Sequence, residues 1–348
     1  MIKKYFLRAN TAEGEVNLIY ENLKGITEII VLNGRSRTAK NRLLTRIAFI
    51  MSERGKLVEG IMCPYDIGVY EGIIIREDKL AIIDEDCAKG LKCTIKNLDD
   101  YFYAKSELSA EEEELIRQKA KWAYENLYKI YADAKVIHDE WEKIYVDNMD
   151  FNRLDSYTKG IISQLIKGRY NVLEGQRSTG FFGASTPDGS VNYIEGLTAD
   201  IKNRYFIKGR PGTGKSTFLK KLAFVAEKNG YDTEVYYCSF DRKSLDMVVI
   251  RDLSVAVFDS TAPHEVFPSK TGDGILDFYT ESGLFGVDEK HSNELCRIAK
   301  VYSHKIKQGL AYLRLGCSFE SELELYYESI TDFDAISVLA DKIIRTVS

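Results

Sequence analysis

Paired cysteines, histidine and excess positive charge are all scarce in this chain, and each shortage removes a class of function. The six cysteines (Cys63, Cys87, Cys93, Cys238, Cys296 and Cys317) include no C-x-x-C pair. That argues against a zinc site or a disulfide framework and suits a reducing cytoplasm. Histidine occurs only four times. His138 is followed by Asp139 and Glu140 in a charged helical stretch, where a solvated or packed role outweighs metal ligation. The opening residues, Met1 to Arg8, hold no long apolar run, so neither a signal peptide nor a membrane span is expected. The net charge of −5 speaks against a primarily nucleic-acid-binding surface. The expectation is a cytoplasmic protein with no membrane or nucleic-acid partner. What is left, 45% hydrophobic and 29% charged, is the composition of a globular protein. Its 348 residues exceed what one hydrophobic core usually supports, so two domains are expected.

Against that background one stretch stands out. Gly209-Arg210-Pro211-Gly212-Thr213-Gly214-Lys215-Ser216 fits the phosphate-binding pattern G-x-x-x-x-G-K-[ST] at every fixed position. Glycines there let backbone N–H groups turn inward around phosphate oxygens, where side chains would obstruct them. Lys215 is then placed to reach the β- and γ-phosphates, and the Ser216 hydroxyl to coordinate Mg²⁺. Arg204–Lys208 upstream reads as a short buried strand. Downstream, Phe218, Leu219, Leu222, Ala223, Val225 and Ala226 recur at helical spacing before Gly230 stops the run. A helix starting on the glycine loop adds its positive dipole end to an anion site. A nucleotide site for ATP and Mg²⁺ is the expectation.

The sequence also contains itself twice, at a spacing of 175 residues. Gly34, Arg35, Thr38 and Lys40 match Gly209, Arg210, Thr213 and Lys215. Thr11, Gly14, Val16, Asn17 and Ile19 match Thr186, Gly189, Val191, Asn192 and Ile194. Ala48-Phe49, Gly55, Cys63, Asp66, Ile75-Arg76, Ala81 and Asp84 reappear as Ala223-Phe224, Gly230, Cys238, Asp241, Ile250-Arg251, Ala256 and Asp259. No gap is needed between about residues 11 and 89, and roughly a quarter of the positions are identical, as in a duplicated unit. A weaker match at a spacing of 182 sets Glu140, Glu142, Tyr145 and Asp150-Phe151 over Glu322, Glu324, Tyr327 and Asp332-Phe333.

Strand candidates are Ile29–Leu32, Val58–Met62, Ile73–Ile75 and Leu80–Ile83, then Tyr205–Ile207, Glu234–Cys238, Met247–Ile250 and Val255–Phe258. Buried strands alternating with helices point to an α/β fold with parallel sheets. From Asn97 to Leu165, and again from Glu289 to Val347, the texture changes to long amphipathic helices. Ser109-Ala110-Glu111-Glu112 reads as a capping box. Glycine-bearing Lys167–Gly183 reads as the connection between halves. The expected architecture is two tandem P-loop NTPase-type domains, 1–170 and 171–348, each followed by a helical extension.

Val255–Asp259 is an apolar strand ending in a carboxylate, which beside a phosphate loop is the expected Mg²⁺-side acid. Thr261 and His264 follow in a strand-end loop, where contact with phosphate and a plain turn are equal readings. Arg251 reads equally as a charge stabiliser for a transferred phosphoryl group or as half of a structural ion pair. No catalytic base is evident. In the first half Arg37, Ala39 and Asn41 stand where Gly212, Gly214 and Ser216 lie in the second. Cβ atoms there crowd a phosphate cradle and Asn offers no hydroxyl to Mg²⁺, so the first loop reads as degenerate.

FIKGRPGTGKST (206–217), SLDMVVIRDL (244–253), VFDSTAPHE (257–265) and IHDEWEKIYVDNMDF (137–151) together resemble the tandem phosphate-loop ATPases of unknown role found in spore-forming Firmicutes. The resemblance covers essentially the whole chain. It implies two phosphate-loop halves and ATP binding, with nucleotide contacts along 209–217, Thr217 included. It supplies no substrate, and the altered first loop departs from the family pattern. The expected function is an ATPase of the second half, with Lys215 and Asp259 catalytic and Ser216 and Asp259 on the metal. It would drive a conformational change or an interaction with an unidentified protein partner. The alternatives are a nucleotide-like kinase acting on a small-molecule acceptor and a non-hydrolysing, ATP-dependent scaffold.

Overall fold

A computed structural model of the chain describes residues 1–88, 93–103, 108–168 and 173–346. Val347 and residues 89 and 169–172, on which parts of the sequence reading fall, lie outside them. The first half runs through β1 (Ile2–Tyr5), β2 (Arg8–Thr11), β3 (Gly14–Asn17), α1 (Ile19–Asn22), β4 (Glu28–Asn33), α2 (Arg37–Glu53), β5 (Val58–Met62), β6 (Tyr70–Ile75), β7 (Leu80–Asp84), β8 (Thr94–Asn97), α3 (Ala110–Val146) and α4 (Phe151–Leu165). The second runs through β9 (Arg177–Gly180), β10 (Gly183–Thr186), β11 (Gly189–Asn192), α5 (Ile194–Leu197), β12 (Asn203–Lys208), α6 (Lys215–Lys228), β13 (Thr233–Tyr237), β14 (Leu245–Ile250), β15 (Val255–Asp259), β16 (Asp273–Asp277), α7 (Phe278–Glu281), α8 (Val287–Lys290), α9 (Ser292–Ile330) and α10 (Phe333–Thr346).

The fold is α/β, with two six-stranded sheets. Their orders, β1-β5-β6-β7-β4-β8 and β9-β13-β14-β15-β12-β16, correspond strand for strand. The sheets are mixed, which corrects the expectation of parallel ones: β6 and β14 run antiparallel to both neighbours. The cause is chain length. Residues 63–69 and 238–244 are too few for a crossover helix, so each pair must close as a hairpin. The next turns end in left-handed Lys79 and Ser254 (φ 53° and 52°), again tight enough only for antiparallel neighbours. The remaining pairs are parallel. None of the four edge strands, β1, β8, β9 and β16, was among the strand candidates. β9 lies inside the stretch expected to be a connector, and β1 lies in the charged N-terminal segment.

Alternation along the strands decides what each face buries. Met247, Val249, Ala256 and Phe258 of the second sheet join the core of the first half. Val248, Ile250, Val255 and Val257 point the other way, against Phe218, Leu219 and Leu222 of α6. One face of the second sheet therefore shares a core cluster with the first half, and the other face forms a second cluster under α6. Phe6 and Phe181, 175 residues apart, exchange both backbone hydrogen bonds at the junction (2.9 and 2.8 Å).

The helical extensions change sides. Leu154 and Ile162 of α4 belong to the core under α6 of the second half, whereas Ile336, Ala340 and Ile343 of α10 join the core of the first. Each is pinned at its start by the opposite half: Asp150 N–H donates to Ser282 O and Asp332 N–H to Tyr101 O, both 2.9 Å. Between them α3 and α9 run antiparallel. Tyr124 and Tyr131 press their rings on Gly316 and Gly309, where an added Cβ would meet ring carbons at 2.5 and 2.3 Å. Ser109 and Glu112 form the expected capping box at the start of α3. Among the described residues no helix is long and apolar enough to cross a membrane.

Candidate functional site

The glycine loop joins β12 to α6, at the sheet end where β15 delivers Asp259. Gly212 and Gly214 hold φ of 76° and 78°, a left-handed backbone that glycine adopts without strain. What their missing side chains make room for is protein. A Cβ on Gly212 would stand 2.7 Å from the carbonyl oxygen of Glu142 in α3, and one on Gly214 would stand 2.8 Å from Leu154 in α4. The N–H groups of Gly212 and Gly214 find no acceptor among the described residues. Lys215 bends back to donate to Arg210 O (2.9 Å) and lies 3.5 Å from Asp259 Oδ2. Thr213 is buried and its hydroxyl also donates to Arg210 O. Ser216 Oγ accepts from Leu245 N–H at 2.9 Å. The Arg210 guanidinium turns away to Asp288 (2.7 Å), Pro211 is half-buried and Thr217 is exposed on α6.

Of the residues downstream, the structure brings only some to the loop. Asp259 Oδ1 accepts from both the N–H and the hydroxyl of Thr261 (3.0 and 2.7 Å), which fixes the carboxylate and leaves Oδ2 toward Lys215. His264 turns to the β10–β11 hairpin, with Nδ1 3.3 Å from Ser190 Oγ and its ring edge-on to Phe182. Burial holds its pKa below the usual value. Arg251 sits at the opposite end of the sheet, paired with Glu234 and Asp200. Arg76 repeats this geometry on Glu59, so Arg251 is structural.

Asp246 was missed, although it lies in the quoted SLDMVVIRDL stretch. The register Met247↔Phe258 sets it across from Asp259 on the neighbouring strand. Burial, then the charge of Asp259, pushes its carboxyl well above the usual range, to about 8. Its first-half counterpart Glu71 is neutralised by Arg8, which donates to both carboxylate oxygens. The second half has Gly183 where Arg8 stands, so its acid keeps no such partner. The legible signal was a lone acid at matching positions of two otherwise apolar strands.

The first loop is filled. Arg37, Thr38 and Ala39 do not form a cradle but the first turn of α2, whose N-cap is Ser36. Ser36 Oγ accepts from Ala39 N–H (3.1 Å). Glu324, reaching over from α9, accepts from Ser36 Oγ (2.8 Å), Arg37 N–H (2.7 Å) and Thr38 N–H (2.9 Å). Gly34 N–H donates to Glu85 (3.1 Å) and Arg35 N–H to Asp99 (2.8 Å). Lys40 is buried on Asp84 at 2.9 Å. Carboxylates of the protein thus occupy the donors that a bound phosphate would use. Pro211 replaces the Ser36 cap in the second loop, and neither Ser260 nor Tyr279, at the places of Glu85 and Asp99, offers a carboxylate.

Helix α3 roofs the second loop as α9 roofs the first. His138, half-buried between Phe240 and Tyr302, lies close enough to Lys215 for its charge to oppose protonation, though burial is the larger cause of its lowered pKa. Its Nδ1 is buried without a hydrogen-bond partner among the described residues. His138, Asp139 and Glu142 bring their ligand atoms within 4.8 Å of one another. Comparison of the chain with protein-family models, with curated proteins and with solved structures gave no match.

Proposed function

We propose that residues 209–216 bind the phosphates of Mg·ATP and that the second half hydrolyses it. The observation that carries this reading is the contrast between the loops. Where the chain has closed the first with its own carboxylates, it leaves the backbone donors of Gly212 and Gly214 open in the second. Open N–H groups at the start of a 14-residue helix favour an anion, and Lys215 adds a positive charge beside them.

Ser216 and Asp259 are the hard oxygen donors that would hold Mg²⁺, which when bound supplies neutralising charge to the phosphates. Thr261 orients the Asp259 carboxylate, and Lys215 is held within 3.5 Å of it. Asp246 adds a second carboxyl at the same sheet end. The paired strand orders and constant spacing support a tandem duplication whose first copy keeps the fold and has lost nucleotide binding. This reading agrees with the resemblance to tandem phosphate-loop ATPases. Phosphate release from Mg·ATP without any acceptor, lost in Lys215→Ala, tests it. ADP production only on adding an acceptor would favour a kinase instead.

A further inference from the structure

We infer that Glu142, carried on α3 of the first half, is the catalytic base of the second half's site; the inference rests on reading 209–216 as an ATP site. Three observations converge on this residue. The first is contact: Glu142 main chain lies directly against Gly212, so α3 crosses the middle of the loop at this position. The second is the other loop. Glu324 matches Glu142 at the 182-residue spacing, and its carboxylate already sits on the N–H groups of Arg37 and Thr38, which match Gly212 and Thr213. An acid delivered from this helix position by the opposite half therefore reaches the donors of the loop beneath it. The third is that Glu142 is not used up. Its carboxylate makes no hydrogen bond to the loop among the described residues, and its Oε1 lies 3.9 Å from His138 Nδ1, too far for a hydrogen bond.

The two sites differ in one respect that decides the role. In the first, no phosphate competes and Glu324 fills the cradle itself. In the second, the N–H groups of Gly212 and Gly214 find no acceptor among the described residues, and a phosphate bound there would lie beside the turn of α3 that carries Glu142. The attacking water of hydrolysis belongs on that side. As its oxygen bonds to the γ-phosphorus, the bond from phosphorus to the bridging oxygen breaks and the electron pair leaves with ADP. The proton of the water passes to the Glu142 carboxylate. General-base assistance of this kind contributes about 10²–10⁴-fold. The nucleotide site is then incomplete without the first half, which would explain why a half that binds no nucleotide is retained and why its extension crosses over.

The test uses the full chain and three variants: Glu142→Gln, Glu142→Asp and Glu322→Gln, the last a control on the far helix. Mg·ATP affinity, single-turnover hydrolysis and melting temperature are measured for each. The inference expects Glu142→Gln to lose on the order of 100-fold or more in the hydrolysis rate, with affinity changed less than about threefold. Melting should be unaltered, Glu142→Asp should regain part of the rate, and Glu322→Gln should match the parent protein. Parent-like hydrolysis in Glu142→Gln overturns the role of Glu142 and leaves the ATP site standing. A parallel loss of affinity and rate also overturns it, since the residue would then hold nucleotide or structure. A parent protein that binds no Mg·ATP overturns both readings together.

Discussion

Glu324 and Thr38 belong to opposite halves of the chain, yet the carboxylate of one accepts a 2.9 Å hydrogen bond from the main-chain N–H of the other. That bond and its companion from Arg37 N–H put an internal anion on a helix N-terminus, where negative charge is favoured. Glu324→Ala removes the acceptor and strands two backbone donors and the Ser36 hydroxyl. Leaving a buried donor unpaired costs about 1–3 kcal/mol and a part-buried one less, so the variant should unfold at lower urea concentration with its Mg·ATP stoichiometry unchanged. Unaltered stability would show that the carboxylate contributes nothing to joining the halves.

The glycine loop between β12 and α6 and the matching strand orders of the two halves were both legible because they rest on fixed residue types at fixed spacing. Glycines at Gly212 and Gly214 report left-handed backbone, and matched apolar positions report matched strands. What stayed hidden depends on distance in space. Glu142 and Glu324 were aligned as repeat partners, but nothing local says that each would lie over the opposite loop. Asp246 looked like one acid in an apolar strand, since its importance comes from facing Asp259 across a strand pair. The antiparallel strands were readable in hindsight from loop length alone.

Lys40 is expected to serve structure in the first loop rather than binding. It is buried on Asp84, whose carboxyl is pushed up by burial and pulled back by the lysine. Removing one partner of such a pair costs about 3–5 kcal/mol, less if Asp84 takes up a proton. Lys40→Ala should therefore lower the free energy of urea unfolding by about 3 kcal/mol while leaving nucleotide affinity intact. Lost nucleotide binding in a folded Lys40→Ala protein would make the first loop a working site.

Asp259 is expected to act through Mg²⁺. Asp259→Asn should shift the magnesium dependence of turnover to higher concentration, while binding of metal-free ATP changes little. The hydrogen bonds from Thr261 offer a competing role as a strand-end turn anchor. If that role were the whole of it, the variant would melt earlier and keep the parent magnesium response.

Acid should loosen the strand that feeds the loop. The buried Arg204 guanidinium, donating to Asp273 Oδ2 at 2.7 Å, and the N–H groups of Ser269 and Lys270 hold the Asp273 carboxyl well below the usual range. A carboxyl depressed in the folded state contributes stability above its unfolded value and loses it as pH falls toward the folded one. The contribution is therefore complete at neutral pH and fades below about pH 4. Asp273→Asn should cost about 3 kcal/mol at pH 7 and flatten the acid limb of a melting-temperature profile. An acid limb as steep as the parent's would assign it to other groups.

The second loop is expected to take Mg·ATP, while the first is closed by the protein's own carboxylates. Isothermal titration of the full chain with Mg·ATP, repeated on Lys215→Ala, tests it most directly. The prediction is one nucleotide bound per chain, abolished by the substitution. Two nucleotides per chain, or binding that survives Lys215→Ala, would contradict it.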